Sequence, residues 1–349
     1  MSNAIPWADP ARRDAFASWL AQTAQDHGLQ PETLAPASAD ASFRRYFRIQ
    51  SAERSFIVMD APPPQEDVRP FIDVAARITT AGLNAPQVLA ADPQQGFLLL
   101  TDLGSKLLLP LLREADAPEA DALMRQALQA LVQFQTQVSA DGLPAYDETL
   151  LARDLALFPE WCVQREFGIT WTAAQQATWD RSCRLLIDSA LAQPQVAVHR
   201  DWMPRNLMVS DPFPGILDFQ DAVRGPVTYD VASMLRDAFL SWDEPREIDW
   251  AVRWWEQARR AGVPLGDAMG HDFGECWRAL EWMGLQRHLK VLGIFCRLKH
   301  RDGKPAYAQD LPRFFAYATR VANRYGPLRP MLALLEPMSG QSVASGFTF

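Results

Sequence analysis

The period of the apolar positions changes several times along the chain. Asp9-Pro10 pairs an acceptor side chain with a residue whose missing N–H costs nothing in a first helical turn, and Phe16, Trp19 and Leu20 continue it as a helical stripe. Residues 44–49 (RRYFRI) and 55–59 (SFIVM) are rich in strand formers and flank a short polar turn at 51–54, which predicts a β-hairpin. After Pro62-Pro63-Pro64, the spacing of Phe71, Val74, Ala75 and Ile78 predicts a helix ending near Gly82. Residues 86–90 and 96–100 read as two further strands. The first hundred residues are thus a small α+β unit.

Beyond Asp102 the pattern turns helical, with amphipathic runs at 120–137, 173–191, 228–240 and 250–261. Short β-type runs at 196–198, 207–209 and 216–217 interrupt it, with polar or charged groups at their ends, where reactive side chains often stand. We therefore expect a first domain over 1–101, an α-rich second domain over 102–338, and a Gly/Ser-containing tail at 339–349 that docks loosely. No internal repeat is visible.

The chain has 349 residues, 48% hydrophobic and 22% charged, which excludes disordered and fibrous classes and is long enough for two folding units. A net charge of −8 argues against nucleic-acid partners, whose phosphates need surplus Lys and Arg. Cys162, Cys183, Cys276 and Cys296 lie far apart without metal-ligand spacing and read as buried small hydrophobes in a reducing compartment. No signal-peptide core and no run near the roughly 18 apolar residues of a membrane span is present, so a cytoplasmic location is expected and no membrane partner. Oligomeric state is not legible.

Residues 199–206 (HRDWMPRN) match H-R-D-x-x-x-x-N, the catalytic loop of protein-kinase-like phosphotransferases, and Asp218-Phe219 begins twelve residues later. In that chemistry Asp201 accepts a hydroxyl proton, while Asn206 and Asp218 hold Mg²⁺ against ATP phosphates. The plainer reading makes Asp201 and Asn206 turn caps and Asp218 a solvated strand end. His199 is read as a residue that braces the loop, and Trp202 as a core aromatic or a ring that stacks on a sugar. A glycine-rich turn and a strand lysine are both missing: the lysine position reads Ile57-Val58-Met59-Asp60, and the upstream turn at 38–42 (SADAS) is merely small. Small residues still let backbone N–H groups approach phosphate, at Ser42 for example, and the positive charge must come from Arg44, Arg45 or Arg48.

At these residues the sequence resembles the aminoglycoside-phosphotransferase-like branch of the kinase fold, over nearly its whole length. A closer likeness, carried by residues 42–48 (SFRRYFR), 58–63 (VMDAPP), 97–104 (FLLLTDLG), 199–206, 217–237 and 287–303, is to bacterial kinases of N-acetylmuramate and N-acetylglucosamine in peptidoglycan recycling. The resemblance implies an α+β, bilobal protein-kinase-like fold with a small antiparallel N-lobe and a large α-rich C-lobe. It implies ATP and Mg²⁺ as cofactors, Asp201 as the base, Asn206 and Asp218 as metal ligands, and a nucleotide base near Leu100, Asp102 and Leu103. Asp230 would be the buried Asp that fixes the catalytic loop, although a helix N-cap has the same residue type. Asp60, in place of the lysine, is expected to face Arg69 or Arg77 of the following helix or to reach toward substrate.

For the acceptor, Arg287, Lys290, Arg297 and Arg301 share a helical face, which favours an anionic sugar unless that face is simply solvated. Asp221, Arg224 and Asp237, with Arg287 and Arg297, are the candidate substrate contacts. The alternatives are another small-molecule kinase of this fold, of aminoglycoside, homoserine or choline type, and a kinase-like binding protein without turnover.

Overall fold

The computed structural model describes residue 7, residues 9–39 and residues 43–339. Ser42 and most of the small turn at 38–42, together with the expected tail apart from Ser339, lie outside the described residues. The chain divides into two units, one of residues 1–108 with 205–221 and one of residues 109–204 with 222–349.

In the first unit, α1 (Pro10–His27) starts where Asp9 accepts the Ala11 N–H at 2.9 Å and stops at Gly28, whose φ of 62° suits glycine. The strands β1 (Leu29–Ala39), β2 (Arg45–Ser51), β3 (Ser55–Asp60), β4 (Val88–Asp92) and β5 (Phe97–Thr101) form one antiparallel sheet in the order β1-β2-β3-β5-β4. Helix α2 (Arg69–Thr80) lies between β3 and β4 in sequence and buries Phe71, Val74, Ala75 and Ile78, the stripe its spacing predicts. Strand β1 adds an element for which the apolar pattern gave no sign, and its Pro31 and Pro36 disfavour a strand interior. It sits at the sheet edge, where a missing N–H is tolerated, and its pairing with β2 is irregular at Gln30/Ala35 and Pro36/Ser38. Phe47, Ile49, Phe56, Val58, Phe97 and Leu99 pack with Phe16 and Leu20 of α1 into the core of this unit.

A two-stranded ribbon, Leu207–Met208 against Gly215–Ile216, belongs to the same unit. The Val209 N–H donates to Lys106 O at 2.8 Å and the Ile216 N–H to Asn84 O at 2.7 Å, which fixes the ribbon beside the sheet's connecting segments. Gly215 makes room there: a Cβ would stand 2.7 Å from Ser210 Oγ and 2.8 Å from Leu103 Cδ1, so either side chain would have to shift.

The second unit is built on helices: α3 (Leu108–Glu114), α4 (Ala117–Gln137), α5 (Glu148–Leu157), a π-helical turn (Phe158–Glu166), α6 (Ala173–Leu191), α7 (Tyr229–Leu235), α8 (Glu244–Ala261), α9 (Gly266–His271), α10 (Phe273–His300), α11 (Leu311–Arg324) and α12 (Leu332–Ser339). Their starts carry acceptor caps, among them Asp116, Asp147, Asp243 and a full capping box of Thr172 with Gln175. The run predicted over 228–240 stops as helix at Leu235, because Asp237 turns its carboxylate back to accept the N–H groups of Phe239 (2.7 Å) and Leu240 (3.0 Å). Helix α10 is central, packed by α5, α6, α7, α11 and the π-helical turn. Its basic positions are therefore not one solvated face: Arg287 is 2% and Lys290 8% exposed, whereas Arg301 is exposed and bonded to Asp302. The four cysteines are free thiols, three buried and Cys183 half-buried. Among the described residues no helix is long and apolar enough to cross a membrane.

Arg236, fully buried, joins two equally buried carboxylates, Glu247 at 3.0 Å and Glu281 at 2.8 Å, which Arg320 and Arg324 also reach. Beside it His288 is wholly buried and stacked on Tyr317 with ring centroids 4.8 Å apart. Burial, and then the positive charge of Arg236 and Arg287, hold its imidazole well below the usual histidine range. A base with a depressed folded value stabilises fully above its ordinary pKa near 6.5, and that stability is lost as pH falls toward the depressed value, by up to about 1.4 kcal/mol per unit. His288→Phe should therefore shrink the loss of unfolding free energy between about pH 7.5 and pH 5.5 by on the order of 1 kcal/mol in urea titrations. An unchanged acid loss would remove His288 as its source.

Candidate active site

In the second unit, strand Gln195–Val198 runs antiparallel to Val223–Pro226 and ends at His199. Asp230, in the first turn of α7, clasps the chain just beyond that end: Oδ2 accepts the His199 N–H at 2.7 Å and Oδ1 the Arg200 N–H at 2.9 Å. The next N–H, that of Asp201, donates to His199 Nδ1 at 3.3 Å. Burial pushes the Asp230 carboxyl up to about 7, against the two N–H donors that favour its anion. Arg200 adopts φ 76°, a region rarely used by residues with a side chain. The turn is thus defined from three sides, and the half-buried Asp201 follows directly from it.

Sequence reasoning missed what lies beneath this turn. Asp154 of α5, buried, has Oδ2 at 3.6 Å from Arg200 Nη2, 3.2 Å from Lys290 Nζ and 2.6 Å from the Tyr146 hydroxyl that donates to it. Lys290 Nζ also donates to the Tyr229 hydroxyl at 3.2 Å. Lys290 was legible as a cation at helical spacing, but nothing in the sequence links it to a carboxylate so far upstream. Trp202 is fully buried, 5.4 Å from the Phe134 ring and 5.6 Å from His199, which makes it a core aromatic and not a sugar platform.

The first unit holds the other predicted groups. Asn206 precedes one strand of the ribbon and Asp218 follows the other, and the Leu217 N–H donates to Asn206 O at 2.9 Å, so both stand at one ribbon end. Asp218 has φ 62°, a second left-handed residue with a side chain. Gln220, not anticipated, donates Nε2 to Asp218 Oδ1 at 2.8 Å. Arg44 Nη2 is 3.8 Å from the same Oδ1, and Arg44 Nε is 3.6 Å from Glu66 Oε2. Among the described residues no group of three or more His, Cys, Asp and Glu is placed to bind a metal. An amide oxygen and a carboxylate are hard donors suited to Mg²⁺, which takes few protein ligands and fills its octahedron with water and phosphate.

Asp60 does not meet the expectation placed on it. It is fully buried with its oxygens divided between two arginines from other elements: Arg12 of α1 donates Nε to Oδ1 at 3.0 Å, and Arg45 of β2 donates Nε to Oδ2 at 2.9 Å. Arg69 bonds Asp67 and Arg77 bonds Asp73. Register explains half of this, since Arg45 is the cross-strand partner of Asp60, and α1 brings Arg12 over the Phe97 ring at 4.0 Å. Arg48 is gripped in the same way by Asp102, Nε to Oδ2 at 2.6 Å and Nη2 to Oδ1 at 3.0 Å. Burial raises the Asp102 carboxyl, but the bonds from Arg48 and the Gly104 N–H outweigh it and hold the group below the usual range. Leu100 is buried in β5, and Leu103 is half-buried against Gly215.

Of the candidate substrate residues, Asp221 and Arg224 are exposed and Arg297 is half-buried. Asp237 and Arg287 are buried, and each keeps an atom without a hydrogen-bond partner, Oδ1 and Nη1. Burial raises the Asp237 carboxyl, against its backbone donors and the charge of Arg287.

N-acetylmuramate/N-acetylglucosamine kinases of Pseudomonas putida and Pseudomonas aeruginosa are 53% and 54% identical to this chain over 303 and 297 residues, covering 87% and 85% of it and 86% of each relative. The kinase of that name from Neisseria meningitidis is 45% identical, over 90% of this chain and 93% of its own. An ADP-bound aminoglycoside phosphotransferase shares the fold at TM-score 0.58 and 12% identity, covering 87% of this chain and 98% of the other. A Plasmodium vivax ethanolamine kinase does so at 0.63 and 7%, covering 91% and 92%. The pattern of the phosphotransferase enzyme family matches residues 33–266, from β1 through the His199–Asn206 turn and the ribbon to the start of α9, and the chain belongs to that family.

Proposed function

We propose that this chain transfers the γ-phosphoryl group of ATP to the anomeric hydroxyl of N-acetylmuramate, N-acetylglucosamine or both, yielding the sugar 1-phosphate for cytoplasmic recycling of peptidoglycan. The observation that carries the chemistry is the ribbon end where Asn206 and Asp218 stand, preceded in the chain by the Asp201 turn that Asp230 clasps. The names of relatives sharing about half the sequence support the acceptor.

In this reading Asn206 and Asp218 hold Mg²⁺, which when bound neutralises charge on the β- and γ-phosphate oxygens. Asp201 accepts the proton of the anomeric hydroxyl as its oxygen bonds to the γ-phosphorus. The bond from that phosphorus to the β–γ bridging oxygen breaks, and ADP leaves with the electron pair. An anomeric hydroxyl is more acidic than other sugar alcohols, so an ordinary carboxylate suffices. Asp230 and His199 act by positioning the turn. In this reading Asp221, Arg224, Asp237, Arg287 and Arg297 contact the acceptor, Asp237 through Oδ1 and Arg287 through Nη1, the atoms left without a hydrogen-bond partner.

The test is incubation of the pure chain with ATP, Mg²⁺ and, separately, N-acetylmuramate, N-acetylglucosamine, an aminoglycoside, homoserine and choline, with the product read by ³¹P NMR. A phosphate coupled to the anomeric proton of either N-acetyl sugar is expected. Transfer to another acceptor alone, or ATP binding without transfer, overturns the proposal.

A further inference from the structure

N-acetylmuramate differs from N-acetylglucosamine only in the lactyl ether on O3, an arm that ends in a carboxylate. A protein that reads this difference needs room for the arm and a cation at its end. The second unit has both. A cavity of about 550 Å³ is bounded by Ser241, just beyond α7, by Asp310, and by Arg313, Tyr317 and Arg320 of α11.

This cavity adjoins two of the residues assigned above to the acceptor. Asp237 accepts the N–H groups of Phe239 and Leu240, and the turn so formed brings Ser241 to the cavity wall. On α10, His288 follows Arg287 in the chain and stacks on Tyr317 with centroids 4.8 Å apart. Asp230, whose carboxylate clasps the catalytic turn, stands near the start of α7, and Asp237 lies just past its end. The seven residues of that helix rise about 10 Å, on the scale of an amino sugar with its O3 arm.

The wall is arranged to donate hydrogen bonds. Arg313 Nη1 and the Tyr317 hydroxyl both donate to Ser241 Oγ, at 2.9 and 3.0 Å, which occupies its lone pairs and leaves its own O–H as a donor. Asp310 holds Arg313 through Nη2 at 3.3 Å, and Glu247 holds Arg320 through Nη2 at 2.9 Å. Both guanidinium groups are thus fixed at one edge, and Nε of each is buried without a hydrogen-bond partner.

We infer that this cavity is a subsite for the carboxylate of the acceptor, with Arg313 and Arg320 as its cations and Ser241 as a neutral donor. It deepens the sugar-kinase reading above and rests on it: the lactyl arm of N-acetylmuramate lies here while the anomeric hydroxyl stands at Asp201. A guanidinium fork matches the two oxygens of a carboxylate, and two cations on the wall disfavour a polycationic aminoglycoside.

Steady-state transfer by the full chain, with ATP and Mg²⁺, to N-acetylmuramate, its methyl ester and N-acetylglucosamine tests this. The ester keeps the shape of the arm and removes its charge. In wild type, kcat/KM for the acid should exceed that for the ester by about 10- to 100-fold, through KM. Arg313→Gln should bring the ratio toward one, and Arg313→Lys should restore part of it. Ser241→Ala, which leaves every ion pair intact, should lower the ratio by about 2- to 10-fold and serves if Arg313→Gln does not fold. A merely structural role would depress acid and ester together and leave the ratio unchanged. A wild-type ratio near one overturns the inference, as does a wild-type ratio retained in either Arg313→Gln or Ser241→Ala. If the wild-type chain phosphorylates N-acetylglucosamine but not N-acetylmuramate, only this inference falls. If it phosphorylates neither, the sugar-kinase reading falls with it.

Discussion

Asp201→Asn lowers kcat for phosphoryl transfer by about 10²- to 10⁴-fold and leaves ADP affinity within about threefold of wild type. The carboxamide keeps the shape and one acceptor oxygen of the side chain but cannot take a proton at neutral pH. The turn that presents it is held by Asp230 and by the ring of His199 accepting the residue-201 N–H, and the substitution alters neither contact. The defect should therefore lie in kcat and not in folding or donor binding. Single-turnover transfer measured at saturating ATP and sugar reads it directly. A loss below tenfold would mean that Asp201 is not the proton acceptor, and equal residual rates in parent and variant would favour a kinase-like protein that only binds.

Asp60→Ala has the second large effect, on stability. The carboxylate is fully buried and shared by Arg12 and Arg45, whose side chains are 16% and 34% exposed. Removing it leaves two guanidinium groups facing each other in a partly dry site, a loss of about 3–5 kcal/mol for a broken buried pair, or roughly 10 °C in Tm. Differential scanning calorimetry measures it, and an unchanged Tm refutes the account. ADP affinity of the protein that remains folded should stay near wild type, which separates Asp60 from the phosphate site. The same knot makes Asp60→Lys, the change that would restore the usual strand cation, unfavourable: it would gather three cations where one anion now holds two.

Periodic features were readable because they depend on neighbours in sequence. The hairpin at Arg45–Ser51 and Ser55–Asp60, helix α2, and the spacing from Asp201 through Asn206 to Asp218 are all local, and the structure assembles the last two residues on one ribbon end. Strand β1 was hidden by its prolines, whose tolerance depends on lying at an edge that only the finished sheet defines. The partners of Asp60 and Arg200 were hidden for another reason. Arg12 and Asp154 are ordinary charged residues on helices remote in sequence, and pairing at that separation leaves no periodic trace. The basic strip on α10 shows the limit of periodicity itself: helical spacing places Arg287 and Arg301 on one face, but burial follows from how many helices surround each turn.

The discontinuous first unit sets an order of events during synthesis. Its sheet and α2 are complete in the chain by residue 108, yet the ribbon bearing Asn206 and Asp218 belongs to 205–221 and is fastened to Asn84 and Lys106. At about 5–20 residues per second, the roughly 100 intervening residues take on the order of 5–20 s to emerge from the ribosome. Until then the carbonyls of Asn84 and Lys106 lack their ribbon donors, and the nascent sheet waits with one flank unsealed.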